Sequence, residues 1–196
     1  MSGILETVQE QLSPDVVNQI SQQIGADPAE TQQAITAALP VVLGGMASNA
    51  ADPSGAAAIH EEADNHAGIL GGLGNLIPGG AGGMLGGLAS AVGAGGLGSV
   101  LGNVFGSNHA AVQDGVSKAS GLDPQRAKQL MFILVPIVLA AIAHHKRTAG
   151  LAPSEVGPTL QNQARSAQAE AERQAPHMGG LLGGIMSHVM QKPRTA

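Results

Sequence analysis

The chain has no cysteine, no tryptophan and no tyrosine, and only two of its 196 residues, both phenylalanines, are aromatic. Without cysteine, neither a disulfide framework nor a thiolate metal site can form. With so few aromatic rings, the chain lacks the stacking surfaces of single-strand nucleic-acid binders and the rigid anchors of many ligand pockets, so no small-molecule ligand is indicated. The N-terminus also lacks the basic start and the apolar run of a secretory signal, so we expect a cytoplasmic location.

Charged residues are also few: they make up 12% of the chain, and the net charge is -5. Duplex binding usually uses a basic stripe that neutralises several phosphates. The only local basic cluster is His144-His145-Lys146-Arg147. We interpret it as the positive C-terminal end of an apolar helix, which suits the helix dipole. Nucleic acid is therefore a disfavoured partner.

What the sequence does contain is the same pattern twice, at an offset of 96 positions (123 minus 27). In each copy an Asp-Pro pair is typical of a helix N-cap followed by proline in the first turn. A later proline in apolar surroundings predicts a kink or break in the same helix. These markers are Asp27, Pro28 and Pro40 in the first copy and Asp123, Pro124 and Pro136 in the second. The pattern predicts an all-α fold of two related helical repeats.

The apolar periodicity predicts the individual helices. Ser13 is the expected N-cap of a helix that ends at Gly25. Residues 130–143 carry no charged or polar side chain, but 14 residues fall short of the roughly 20 needed to cross a bilayer. We therefore expect a buried core helix there, covered by residues 34–47 of the first copy. Residues 154–174 are expected to form a surface helix.

Between Asp64 and Asp114 no residue carries a formal charge, and glycine and leucine dominate. Small residues at every fourth position form a flat stripe on a helix and permit close backbone contact. Each interior glycine costs a helix about 1 kcal/mol relative to alanine, so a flexible linker is favoured over a glycine zipper and over membrane contact. Two runs have this spacing, namely Gly79, Gly83 and Gly87, and Gly98, Gly102 and Gly106.

No group of residues has the spacing of a catalytic or metal site. His60 and Asp64 are one helical turn apart, but Asp64 stands where a zinc-protease helix has its second histidine. A solvated polar helix end explains this cluster. No phosphate loop and no nucleophile elbow is present. The sequence thus nominates no catalytic, cofactor-binding or metal residue, and we predict that the protein is not an enzyme.

One stretch of the chain resembles a known family. Its motifs are Val100-Leu101-Gly102-Asn103-Val104-Phe105-Gly106, Ser120-Gly121-Leu122-Asp123-Pro124 and Leu134-Val135-Pro136-Ile137-Val138-Leu139-Ala140. They resemble the bacterial family catalogued as domain of unknown function 937, in particular its YidB-like group. The likeness is good over residues 98–143 and weaker over 15–47. It implies an all-helical fold with a homeodomain-like helical arrangement, and no activity, cofactor or catalytic residue.

We expect a protein that acts by self-association or by binding another protein, through the tracts 68–106 and 179–185. A homeodomain-like DNA binder is one alternative, weakened because residues 130–143 have no side chain that reaches base edges. A peripheral membrane protein that uses the Gly-rich tract is the other. The predicted units are a first helical repeat (1–67), a Gly-rich apolar linker or glycine-zipper segment (68–107), a second helical repeat (108–176) and a Gly/Met-rich C-terminal tail (177–196).

Overall fold

A computed structural model of the protein describes residues 3–67, 96–174, 183–185 and 187. Within these residues the chain forms eight α-helices and a short 3-10 turn, and no strand. The helices are α1 (Ile4–Gln11), α2 (Pro14–Ile24), α3 (Pro28–Asn49), α4 (Pro53–Asn65), α5 (Gly96–Phe105), α6 (His109–Ser120), α7 (Pro124–Ala149) and α8 (Pro153–Gln174). The 3-10 turn Gly106–Asn108 joins α5 to α6. The prediction of an all-α protein is confirmed.

The predicted caps form at the starts of the long helices. The side chain of Asp27 accepts a hydrogen bond from the N–H of Ala29 at 2.9 Å, and Pro28 is the first residue of α3. Asp123 accepts from the N–H groups of Gln125 and Arg126 at 3.0 and 3.1 Å at the start of α7. These bonds satisfy backbone donors that have no partner within the helix.

α3 and α7 run without interruption through Pro40 and Pro136, so neither helix is broken at its proline, and of the predicted kink or break the kink stays a prediction. A proline inside a helix removes one hydrogen bond and crowds the preceding turn, at a cost of about 3 kcal/mol. Apolar residues on both sides of each proline are buried, namely Leu39, Val41, Val135 and Ile137. Burial of one such side chain contributes about 1.5–3 kcal/mol, so the packing on either side keeps each helix continuous.

The core is built around these two long helices. Residues 34–47 and 130–143 are almost entirely buried. α3 packs against α2, α4, α5, α6, α7 and α8, whereas α7 packs against α1, α2, α3, α4 and α6. α3 and α7 contact each other, but most of the cover of each comes from the shorter helices and from α8.

α8 contributes more to the core than a surface helix would. One of its faces is buried against α3 and α4 through Val156, Leu160, Ala164, Ala167 and Ala171. Small side chains on this face let α8 and α3 approach each other closely. At Gly157 the approach is closest, because a Cβ on this residue would lie 2.8 Å from the carbonyl oxygen of Ala50.

Residues 96–107 lie in the segment that the sequence assigns to a linker or zipper, and they form α5 and part of the 3-10 turn. α5 packs against α3 and α4 and buries Val100, Val104 and Phe105. The side-chain amide of Asn49 on α3 donates to the carbonyl oxygens of Asn103 and Val104, at 3.0 Å each. These bonds satisfy free acceptors at the end of α5 and attach it to α3.

Among the described residues, α7 is the one helix long and apolar enough to cross a membrane. It has 26 residues, and its most apolar 18-residue window has a mean hydropathy of 1.8. The 14-residue apolar run seen in the sequence therefore underestimates the length of this helix. However, 78% of this window is buried inside the protein, as expected for a core helix.

We predict that Gly45→Ala destabilises the fold. A Cβ at Gly45 would overlap the side chain of Val112 on α6 and would lie 3.1 Å from Cδ1 of Phe105. Overpacking of this kind costs about 1–3 kcal/mol, of which about 1 kcal/mol is offset by the better helix propensity of alanine. Urea denaturation would measure the difference. The control is Gly102→Ala on the exposed face of α5, which should leave stability unchanged or raise it; equal effects of the two changes would contradict the close packing at Gly45.

Candidate functional site

The described surface contains an open cleft between α1, α2, α3 and α8, with a volume of about 240 Å³. Its apolar lining residues are buried or half-buried, and its polar lining residues are more exposed, so the floor is apolar and the rim is polar. The floor consists of Leu5, Leu12, Val17, Ile35, Leu39 and Ala167, and the rim consists of Gln9, Gln32, Thr36 and Glu170.

Helical spacing brings these side chains to one place. The residues of α1 in the cleft are at positions 5 and 9, followed by Leu12 just after the helix, and those of α3 are at positions 32, 35, 36 and 39, so each helix contributes from one face. α1 is attached to α8 at its first turn, where the N–H of Leu5 donates to Oε1 of Gln163 at 3.1 Å. This bond satisfies a free helix donor and fixes one wall of the cleft relative to another.

The cleft has little capacity for chemistry. Glu170 is the one titratable side chain among its described lining residues, and it forms an ion pair with Arg173 at 3.1 Å. A general acid or base needs a second polar group placed against the substrate, and the rest of the rim is amide and hydroxyl. The arrangement is suited to holding an apolar group away from water.

The glycines of the predicted stripe are in different environments. Gly79, Gly83 and Gly87 lie outside the described residues. Gly98 and Gly102 are exposed on α5, and no described atom lies within 4 Å of a Cβ placed on either. Gly106 has a φ of +57°, and a Cβ there would lie 2.6 Å from Oδ1 of Asn49, so its glycine is required by the turn into α6.

The side chain of Lys146 on α7 contacts the polar cluster around His60 and Asp64 on α4, which the sequence offered as possible metal ligands. Its ammonium lies 2.8 Å from the carbonyl oxygen of His60 and 2.8 Å from Oδ1 of Asp64. It also lies 3.0 Å from Nδ1 of His60, which accepts this bond only in the Nε2–H tautomer. The Lys146 side chain is 8% exposed. His60 and Asp64 thus hold a lysine between them, and no group of three or more metal ligands occurs among the described residues.

His66, at the end of α4, is buried at 1% exposure. Its Nδ1 lies 2.7 Å from the carbonyl oxygen of Glu62, and its Nε2 has no hydrogen-bond partner in the described part of the chain. The carboxylate of Glu62 accepts a bond of 2.8 Å from the side-chain amide of Asn103 on α5. The bond from Asn103 joins α4 to α5, whereas the contact of His66 is made within the last turn of α4.

The charges are segregated along the chain, a signal that composition alone conceals. Residues 1–67 contain nine Asp or Glu and no Lys or Arg, whereas residues 96–174 contain seven Lys or Arg and five Asp or Glu. The cleft is lined mainly by α1, α2 and α3, which carry only acidic charges. The net charge of the whole chain hides this asymmetry, whereas the charges of the two halves taken separately reveal it. No sequence signal indicated the cleft.

The described part of the chain is all-α, and several of its titratable side chains, among them Asp27, Asp123 and Lys146, cap or join helices. A family model described as a bacterial protein of unknown function (DUF937) matches residues 6–145. This match covers more than half of the chain, and the protein belongs to that family. No curated protein and no solved structure matches the chain. The family resemblance seen in the sequence is thereby confirmed.

We predict that Lys146→Met lowers the free energy of unfolding by about 1–3 kcal/mol, because hydrogen bonds from a charged donor to groups on α4 are lost. The value belongs at the lower end, since Asp64 is 64% exposed and its ion pair is screened by water. The matched control is Lys118→Met, whose ion pair with Asp114 is 2.7 Å long but exposed on both sides. Removal of that pair should change stability by about 0.5 kcal/mol or less. Equal losses in urea denaturation would contradict a structural role for Lys146.

Proposed function

We propose that this protein is a non-enzymatic helical protein that acts by binding a protein, either a second copy of itself or another chain. The observation that carries the proposal is the open cleft between α1, α2, α3 and α8, which has an apolar floor and a polar rim. Its volume of about 240 Å³ suits one or two apolar side chains. Small-molecule sites are usually about 300–1,000 Å³ and place several polar groups around the ligand. Burial of one large apolar side chain contributes about 1.5–3 kcal/mol, as at the anchors of protein interfaces.

The exposed face of α5 supports a second contact surface. Gly98 and Gly102 leave open space beside the helix, so another helix could approach its backbone closely. In the tail, Ile185 is partly buried against the core. Most of the other glycines of the two tracts lie outside the described residues, and the part of both tracts in self-association stays a prediction.

We also propose that the fold consists of two copies of one helical unit that exchange contacts. Two observations support this arrangement. α3 and α7 both start with an aspartate cap and proline, and they carry prolines at equivalent positions. The packing is reciprocal, since α3 contacts α6 and α8 of the second unit while α7 contacts α2 and α4 of the first. The homeodomain-like character of each unit stays a prediction, as does the cytoplasmic location.

The two alternative functions receive less support. For DNA binding, Lys146 would be among the first residues to contact phosphate, yet its ammonium is engaged by α4. Arg126 pairs with Asp123 at 3.3 Å on its own helix. For membrane association, the most apolar helix is α7, and most of its apolar window is covered by protein. Protein binding at the cleft would leave the contacts of Lys146, Arg126 and α7 unchanged.

We predict that Thr36→Arg weakens self-association, or the capture of a partner protein, by at least about tenfold, because a long charged side chain enters the apolar cleft. The matched control is Gln33→Arg, which adds the same charge to an exposed position of α3 outside the cleft. The chain has no tryptophan or tyrosine, so sedimentation velocity is followed by interference optics, and affinity capture from bacterial lysate is compared among the three proteins.

The proposed function requires that the wild type and Gln33→Arg either exceed the monomer mass of 19.4 kDa at high concentration or retain the same captured protein, and that Thr36→Arg loses this behaviour. A wild type that stays monomeric and captures nothing would contradict it. So would a Thr36→Arg variant that behaves like Gln33→Arg.

A further inference from the structure

Phe132 is one of two aromatic residues in the chain, and it differs from the other in its exposure. Phe105 is fully buried, whereas Phe132 on α7 is partly exposed. The ammonium of Lys128, one turn earlier on the same helix, lies 5.6 Å from the centre of the Phe132 ring. The two side chains thus form an apolar and cationic pair, the Phe132–Lys128 pair, on the surface of α7.

Lys128 differs from the neighbouring basic residues in its partners. Lys118 is paired with Asp114 and Arg126 with Asp123. No carboxylate among the described residues forms an ion pair with Lys128. Its charge is therefore available to a carboxylate on another molecule.

The cleft offers complementary chemistry. Its floor is apolar, and Glu170 stands on its rim. α1 also carries Glu6 and Glu10 as exposed residues beside its cleft-lining positions. The three helices that supply most of the lining, α1, α2 and α3, contain no lysine or arginine. An aromatic ring with an adjacent ammonium matches this combination of apolar floor and acidic surroundings.

We propose that the cleft of one copy receives the Phe132–Lys128 pair of a second copy, with the ring on the apolar floor and the ammonium near the acidic residues of the rim and α1. This inference rests on the proposed function and names the occupant of the same cleft. The contact joins two different surfaces, so each copy keeps one free cleft and one free pair. Such heterologous contacts produce rings or open filaments rather than closed dimers.

A mixing experiment tests this arrangement. Phe132→Ala removes the ring but keeps the cleft, and Thr36→Arg blocks the cleft but keeps the ring. Each variant alone should stay at the monomer mass of 19.4 kDa at concentrations where the wild type associates. An equimolar mixture should form a species of twice that mass and nothing longer, because one productive cleft and one productive ring remain per pair. Circular dichroism verifies that both variants are folded.

A second variant tests the charge. Lys128→Glu should weaken association by at least about tenfold at low salt, and the loss should shrink at high salt because ions screen the contact. The control is Gln129→Glu, which adds a carboxylate at the adjacent exposed position.

Three results would overturn the inference. A Phe132→Ala variant that associates as the wild type does would show that the wild type uses another surface, and the proposed function would stand. An equimolar mixture that stays monomeric would show that the cleft and the Phe132–Lys128 pair do not bind each other, and the proposed function would again stand. A wild type that is monomeric at every concentration would remove the second copy as occupant, and the proposed function would then rest on the capture comparison of Thr36→Arg with Gln33→Arg.

Discussion

The apolar surface of the two long helices α3 and α7 must be buried away from solvent, and the rest of this structure depends on that constraint. α3 and α7 are buried along most of their length, so every other described helix packs against at least one of them. Burial also keeps both helices continuous through an internal proline, which a solvent-exposed helix would tolerate poorly. The small side chains of α3, α6 and α8 follow from the same need, because close approach is the means by which a chain with two aromatic residues fills its core.

The polar side chains serve this arrangement. Asn49, Asn103 and Gln163 bond to the ends of neighbouring helices or to neighbouring side chains, and Lys146 extends from α7 to α4. Groups that resemble potential ligands in the sequence are thus engaged with one another across helix boundaries. The described surface also carries the cleft beside α1, with its apolar floor, and the partly exposed ring of Phe132. This distribution favours a protein that works through contact with other proteins.

Much of the fold can be predicted from the sequence because it depends on local rules. Caps at Asp27 and Asp123, and the helix ends at Gly25 and Gly121 with φ of +66° and +71°, follow from residue type and spacing. The continuity of α3 through Pro40 could not be predicted, because it depends on tertiary burial that outweighs a local penalty. The cleft was also missed, since it arises where four helices meet and its lining residues come from positions 5 to 170. The role of Lys146 required knowing that α4 lies beside α7.

The internal prolines have a mechanical consequence. Each lacks an N–H, so the carbonyl four residues earlier loses its helical donor, and these carbonyls belong to Thr36 and Phe132. One rung is therefore missing from each core helix at the same register, and bending stiffness is lowest at that turn. Thr36 is on the rim of the cleft, so whatever fills the cleft presses on the most compliant turn of α3, and elastic strain introduced there is carried along a helix that touches six other described helices.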